Sequence, residues 1–312
     1  MQVQQKTSTQ RLTHKVSELV INWHITEACN YGCKFCYAKW DAPCNRRDLV
    51  KSVPDSRELL LQIRDFFHPS NSRNPLQAEM RWETVRINFA GGEPLLYGKV
   101  MPELLRFSRK IGLKTSIITN GSHLAESLLG ALAPNLDWLG LSVDSAIESA
   151  NQEIGRVDRR GNLLDIGKLA NNLSIERIKN PNLKLKVNTV INALNANEDM
   201  SKLIQSLSPE KWKVLRVLPT VNRNLEISDQ SFSDFVERHA EFQNIYRVED
   251  NHEMLESYIM IDPNGRFYQN GDQSIQEGYQ YSNPILEIGA ARAFAGMRFL
   301  PNRFAARYSE AA

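Results

Sequence analysis

Cys29, Cys33 and Cys36 lie in the run Cys29-Asn30-Tyr31-Gly32-Cys33-Lys34-Phe35-Cys36, which holds three of the chain's four cysteines. With three residues between the first pair and two between the second, their thiolates can close on one small object. Thiolates bind both zinc and iron–sulfur clusters, so ligand softness does not choose between them. A structural zinc site normally takes four protein ligands, and Cys44 or His24 could complete one. A cubic [4Fe–4S] cluster held by three cysteines instead keeps one iron open to an outside ligand, which suggests chemistry. Three unrelated buried thiols are the remaining reading.

A second set of residues is polar and sits on strands. Parallel strands buried on both faces should read as nearly continuous apolar runs. Here Asn22, His24 and Thr26 share a face, as do Arg86 and Asn88, Ser142 and Asp144, Lys184, Lys186 and Asn188, and Lys211 and Lys213. If the intervening apolar positions meet helices, these polar faces line an interior where unpaired cations are costly and need an anion. Arg86, Lys186, Lys211 and Lys213 could clamp a polyphosphate, Arg with planar bidentate contacts and Lys with compact charge. The plain alternative is that they are solvated at the strand ends or paired with acidic neighbours.

The elements that must position these groups alternate between strand and helix. A strand over Leu19–Thr26 precedes the cysteine loop, and Pro54 stands near the start of a helix with Leu59, Leu60, Ile63, Phe66 and Phe67 at helical spacing. Strands follow at 85–89, 115–119, 138–144, 183–191 and 212–218, with helices near 99–111, 123–132 and 162–178 and another after Asn195-Ala196-Asn197-Glu198-Asp199. Alternating units of this kind predict an α/β fold, a parallel sheet with helical crossovers, and about six units give a partial (β/α)6 barrel of the TIM type. Residues 1–17 read as a loosely held arm, 18–220 as the barrel, and 221–312 as a small C-terminal extension packed on its open side. That extension should contain a helix over Asp229–Glu241, a hairpin from Tyr258 to Tyr268 around Pro263-Asn264-Gly265, and a helix near 284–296.

The 312 residues are 42% hydrophobic and 24% charged, as in a soluble globular protein with a substantial core. A net charge of +2 gives no case for a nucleic-acid coat or a membrane-surface protein. No apolar run of about twenty residues could span a bilayer, and the polar start Met1-Gln2-Val3-Gln4-Gln5-Lys6 lacks a signal peptide's apolar core. The expectation is a cytoplasmic protein without membrane or nucleic-acid partners, whose cysteines stay reduced.

The cysteine spacing, with Ala90-Gly91-Gly92-Glu93-Pro94 after a strand, resembles the radical S-adenosylmethionine (SAM) superfamily. The likeness narrows to the viperin-like nucleotide dehydratases, most closely their prokaryotic members. It runs through Asn22-Trp23-His24-Ile25-Thr26, Ile87-Asn88-Phe89, Thr119-Asn120-Gly121-Ser122, Leu141-Ser142-Val143-Asp144-Ser145, Ile154-Gly155-Arg156, Lys186-Val187-Asn188-Thr189, Trp212-Lys213-Val214 and Ser257-Tyr258-Ile259, covering about residues 19–270. Such enzymes use a 5′-deoxyadenosyl radical to take the ribose 4′ hydrogen of CTP, UTP or GTP. They then lose the 3′ hydroxyl, giving a 3′-deoxy-3′,4′-didehydro nucleotide that terminates viral RNA chains.

The resemblance implies that Cys29, Cys33 and Cys36 hold a [4Fe–4S] cluster and that Phe35 lies by the SAM adenine. Gly91, Gly92 and Glu93 would position the SAM amino group, with Asn120, Ser142 and Arg156 at its ribose or carboxylate. Asn22, Arg86, Lys186, Lys211 and Lys213 would hold nucleotide ribose and triphosphate, joined by Arg303 and Arg307 of the basic tail. Tyr258 would supply the hydrogen that quenches the product radical. A flavodoxin or ferredoxin would supply electrons. The chain departs from the family in several places: Arg86 stands where lysine is usual, Lys211 where arginine is, and Asn270 where animal members have cysteine. The tail's glycine pair is replaced around Arg303-Phe304-Ala305-Ala306-Arg307, and the amphipathic helix of animal members is not found ahead of residue 19. Other readings are a radical SAM enzyme acting on a peptide or cofactor precursor, or a zinc-stabilised nucleotide-binding module.

Overall fold

A computed structural model describes residues 14–36, 48–218, 223–270 and 279–308. Its centre is one sheet of ten strands in the order β10-β9-β8-β1-β2-β3-β4-β5-β6-β7. The strands are β1 His14–His24, β2 Met80–Ala90, β3 Lys114–Thr119, β4 Trp138–Ser142, β5 Lys184–Ile191, β6 Lys211–Arg216, β7 Tyr246–Glu249, β8 Ile259–Ile261, β9 Arg266–Gln269 and β10 Gln280–Pro284. From β1 to β7 every neighbouring pair is parallel. The chain therefore forms the α/β partial barrel expected from its alternating units.

One face of the sheet is apolar. Trp23, Phe89, Leu139, Val187 and Trp212 are fully buried there, as alternation along half-covered strands requires. The helices α1 Val53–Phe67, α2 Met101–Lys110, α3 Glu126–Leu132, α4 Glu148–Ile154, α5 Ile166–Lys179, α6 Ser201–Leu207 and α7 Asp229–Arg238 supply crossovers and packing. In α1 the side chain of Ser52 accepts a hydrogen bond from the Asp55 backbone N–H, satisfying one free donor of the first turn. Leu59, Leu60, Ile63, Phe66 and Phe67 form its buried stripe.

The N-terminal strand begins at His14, so residues 14–17 belong to the sheet and not to a loose arm. The cause is a partner of equal length: β2 starts at Met80, and the two strands pair in parallel from His14 opposite Met80 to His24 opposite Ala90. Strand β7 and strands β8, β9 and β10 also extend the sheet, at opposite edges. β7 joins β6 in parallel, while β8 joins β1 in parallel and leads antiparallel β9 and β10. The segment expected as one helix near 284–296 is two short helices, Ile285–Ile288 and Ala290–Ala295, divided at Gly289 with φ +83°. A terminal helix, Pro301–Tyr308, packs against β1. Among the described residues no helix is long and apolar enough to cross a membrane.

Candidate active site

The cysteine loop leaves the carboxyl end of β1 and is braced from two sides. On one side the Gly92 N–H donates to the Thr26 carbonyl (2.7 Å) and the Glu93 N–H to that of Ala28 (2.8 Å). A Cβ on Gly92 would stand 2.2 Å from the Ala28 carbonyl oxygen, so only glycine allows this approach. On the other side the Gly32 N–H donates to Gly155 O (3.2 Å) and the Lys34 N–H to Ile154 O (2.9 Å). Gly155 ends α4 in the left-handed conformation, φ +91°, and a Cβ there would meet the Gly32 carbonyl oxygen at 2.4 Å.

This bracing gathers Cys29, Cys33 and Cys36 with Tyr31, Phe35, Ile154, Val217 and Leu225 in one small cluster. Burial raises the pKa of the Cys29 thiol and pushes that of Cys33 up to about 11, with Arg156 opposing both shifts. A bound metal centre deprotonates such thiols outright. The Tyr31 N–H also donates to Cys29 Sγ (3.4 Å), the outer-shell support that thiolate ligands use. Three thiols on one short loop, beside a buried cation, thus fit an iron–sulfur cluster. His24 does not join them: its Nδ1 lies 3.0 Å from the Tyr268 hydroxyl, and burial lowers its pKa to about 4. Cys44 lies outside the described residues. Among the described residues no three His, Cys, Asp or Glu side chains gather as ligands of a single ion.

Beside the loop opens a cavity of about 470 Å³ lined by Tyr31, Asn120, Ser142, Asp144, Arg156 and others. Glu93 does not line it. Fully buried, Glu93 accepts from Leu95 N–H (2.9 Å), the Thr119 hydroxyl (2.7 Å) and Asn120 N–H (2.7 Å), so it fixes the end of β3 and with it Asn120. Burial raises the Glu93 pKa, and these hydrogen bonds oppose the rise. Asn120 in turn donates to Asn30 Oδ1 (3.0 Å). Arg156 pairs with the fully buried Asp144. Burial alone would lower the Arg156 pKa, but Asp144 raises it, so the cation is held ionised.

A second cavity lies on the same sheet face. It is lined by Val20, Asn22, Arg86, Asn88, Trp138, Lys186, Lys211, Lys213, Arg247, Arg307 and Tyr308. The strand register puts Lys186 directly beside Lys211 and Lys213 directly beside Arg247. Like charges at opposed positions are destabilising unless something between them is negative. The same register links the cavities, since Ser142 neighbours Asn188, which neighbours Lys213.

Some of that charge is balanced internally. Arg86 pairs with Glu18 (3.0 Å), while Lys213 and Arg307 both pair with Glu249. Among the described residues no carboxylate stands within ion-pair distance of Lys186 or Lys211. Trp138 partly compensates, with the Arg86 and Lys211 charges each 5.6 Å from its ring. Burial and the cations Lys213, Arg86 and Lys211 lower the Lys186 pKa well below the usual lysine range. Burial lowers that of Lys213 to about 8 against the pull of Glu249. Toward the middle of the sheet the Ser116 hydroxyl donates to Asn88 Oδ1 (2.7 Å) and Asn88 to Asn22 Oδ1 (2.8 Å), which sets the Asn22 amide.

The structure thus brings Asn120, Ser142 and Arg156 together at one cavity, and Asn22, Arg86, Lys186, Lys211, Lys213 and Arg307 at the other. Phe35 packs in the apolar cluster beneath the loop. Tyr258 stands behind the basic cavity, its hydroxyl donating to Glu249 (2.7 Å). Arg303 does not reach the basic cavity and instead donates to Leu255 O (3.1 Å). Sequence reasoning missed Glu249, Trp138, Asp144's pairing and Arg247. Trp138 shares the alternation of Gly140 and Ser142, a signal that could have found it. Glu249 sits on a four-residue strand too short to show a pattern.

Residues 23–207 match the Radical SAM superfamily. The chain belongs to that superfamily. Within it, this radical SAM protein falls in the viperin-like nucleotide dehydratase family. It is 40% identical to the S-adenosylmethionine-dependent nucleotide dehydratase of Pseudoalteromonas ulvae, over 94% of each chain. Identity is 41% to that of Psychrobacter lutiphocae, over 94% of this chain and 96% of the relative, and 31% to dehydratase RSAD2 of Danio rerio, over 88% and 72%. Among solved structures, anSMEcpe with AdoMet and a Kp18Cys peptide is similar with a TM-score of 0.63 and 16% identity, over 92% of this chain and 84% of its own. SuiB of Streptococcus suis with the precursor peptide SuiA gives 0.55 and 16%, over 81% and 59%. These structural likenesses concern the fold. Superfamily membership implies SAM and an iron–sulfur cluster as cofactors.

Proposed function

We propose that this radical SAM enzyme dehydrates a nucleoside triphosphate, CTP favoured over UTP or GTP, to its 3′-deoxy-3′,4′-didehydro analogue. The observation that carries the reading is the basic cavity: cations from β2, β5, β6 and the terminal helix converge on the sheet face that also bears the cysteine-loop cavity. A highly charged anion resolves the repulsion among Lys186, Lys211 and Lys213. The relatives' names, S-adenosylmethionine-dependent nucleotide dehydratases, support loss of water from a nucleotide.

Cys29, Cys33 and Cys36 would hold a [4Fe–4S] cluster, and Asn120, Ser142 and Arg156 would bind SAM in the adjoining cavity. Gly91 and Gly92 keep the loop close, and Glu93 fixes Asn120. When bound, these cofactors supply a radical able to take a hydrogen atom from an unactivated C–H bond. The chain's own task is orientation. Asn22, held by Asn88, would face the ribose while Arg86, Lys186, Lys211, Lys213 and Arg307 fix the phosphates and so present one sugar hydrogen; well-aligned geometry of this kind contributes on the order of 7–11 kcal/mol. Tyr258 would quench the sugar radical. We place the enzyme in a reducing cytoplasm with flavodoxin or ferredoxin as electron donor. A product lacking the 3′ hydroxyl that polymerases extend suits defence against phage.

The test is anaerobic incubation of reconstituted protein with SAM, dithionite and each nucleoside triphosphate singly, followed by mass spectrometry. Loss of water from one triphosphate is expected, with deuterium passing from ribose C4′, and not from C3′, into 5′-deoxyadenosine. Deuterium arriving from C3′, or an unchanged nucleotide pool, overturns the reading.

A further inference from the structure

Glu249, at the end of β7, stands where the phosphate-facing cations meet Tyr258, and the function proposed above gives it no task. It is 3% exposed. One carboxylate oxygen pairs with Lys213 Nζ, and the other accepts both from Arg307 Nη2 (2.7 Å) and from the Tyr258 hydroxyl (2.7 Å). The Arg307 guanidinium also lies 3.5 Å from the centre of the Tyr258 ring. A buried carboxylate with one cation removed is strongly destabilised. Here two cations hold it ionised: burial alone would raise its pKa, yet Lys213 and Arg307 lower it to about 2. Lys213 and Arg307 also line the basic cavity. They therefore have two anionic claimants, the internal carboxylate and an incoming polyphosphate.

We propose that Glu249 is a positioning residue coupling nucleotide binding to Tyr258: the polyphosphate draws Lys213 and Arg307 away from its carboxylate, which then accepts the phenolic proton as Tyr258 is oxidised. The inference rests on the dehydratase reading and on Tyr258 as the quenching group. The step balances. From a sugar radical at C4′, the C3′–O bond breaks and hydroxide leaves, taking one proton from solvent to become water. One electron from Tyr258 completes the C3′–C4′ double bond, while the phenolic proton passes to Glu249 and from there to solvent. Tyr258 is left as a neutral phenoxyl radical, which the external one-electron donor reduces, dithionite in the assay, with uptake of one proton. With Lys213 and Arg307 still in place the carboxylate is a poor proton acceptor, so Tyr258 would stay unreactive until phosphate occupies the cavity.

The test compares the whole wild-type chain, Glu249→Gln, Tyr258→Phe and the double variant that combines them. CTP affinity is measured by calorimetry, and with the reconstituted cluster the ratio of dehydrated nucleotide to 5′-deoxyadenosine is followed. Removing an internal anion that opposes phosphate should tighten CTP binding by about tenfold in Glu249→Gln at low salt, an advantage that shrinks as salt rises. The product ratio should fall several-fold in Glu249→Gln and in Tyr258→Phe. The double variant should fall no further than the lower single one, as expected of residues acting in one unit. A merely structural role predicts weaker binding and a parallel loss of both products. If circular dichroism shows Glu249→Gln unfolded, Glu249→Asp replaces it: retained charge should keep wild-type affinity, while the shorter carboxylate lowers the ratio. Equal or weaker CTP binding by folded Glu249→Gln, or a wild-type ratio in whichever variant folds, overturns the inference. Wild type that makes no dehydrated nucleotide overturns the dehydratase reading instead.

Discussion

Asp144 joins Arg156 to the sheet: one carboxylate oxygen accepts from the Arg156 guanidinium and the other from the Val190 backbone N–H at 2.8 Å. The pair is nearly sealed, with Asp144 fully buried and the Arg156 side chain 11% exposed. Arg156 is thereby held at the cavity beside the cysteine loop, and its orientation depends on the end of β4.

Asp144→Asn keeps the shape but leaves Arg156 without its counter-charge. Breaking a buried pair from one side costs about 3–5 kcal/mol. Denaturant unfolding should show a loss of that size, and SAM affinity should fall with it. Wild-type stability would mean that solvent reaches the pair.

Lys186→Met should stabilise the ligand-free protein and weaken nucleotide binding. The pKa of Lys186 is lowered by burial and by Lys213, Arg86 and Lys211. As pH falls below the ordinary lysine pKa the unfolded chain binds a proton that the folded chain does not, so stability is lost in that direction. Bound triphosphate should restore the charge, and losing that contact should weaken binding by about 1.5–3 kcal/mol. Thermal melts at pH 7 and pH 10 with and without CTP check both parts. Equal melting temperatures for wild type and variant without ligand would show Lys186 to be well solvated.

Gly92→Ala places a methyl against the Ala28 carbonyl oxygen and should cost about 1–3 kcal/mol as overpacking. More tellingly, it should displace the cysteine loop and lower iron content after reconstitution. Gly112→Ala is the control: its φ of +88° imposes strain of about 1–2 kcal/mol, but nothing lies within 4 Å of the added Cβ. Iron content should be normal there.

Cys33→Ala should abolish iron and sulfide retention, whereas Cys44→Ala should keep both. Elemental analysis after anaerobic reconstitution decides. Equal losses in the two variants would make Cys44 a ligand and revive a zinc-type site.

The polar strand faces were readable because β-structure has a strict period of two, so one chain position tells which face its neighbours take. Lys186 and Lys213 could thus be aimed at the interior before any coordinates. What could not be read is how charges are settled between distant segments. Glu249 is thirty-six residues from Lys213 and fifty-eight from Arg307 in the chain, and its strand has only four residues. The same applies to residues 14–17, whose place in the sheet depends on a partner strand starting at Met80. Arg307 is the opposite case: its motif departs from the family pattern, yet the resemblance named it for the phosphates and the helix Pro301–Tyr308 carries it to the basic cavity.

The terminal helix against β1 means that the order in which the chain is made differs from the order in which its cavities are completed. A ribosome finishes the cysteine loop by residue 36 and the sheet's central strands by residue 216, but Arg307 and Tyr308 emerge some ninety residues later. A nascent chain can therefore acquire its metal-binding loop long before it can close its phosphate cavity. Release of a truncated chain ending before residue 301 should give a protein that takes up iron yet fails to retain triphosphate, and pull-down on immobilised CTP would reveal any exception.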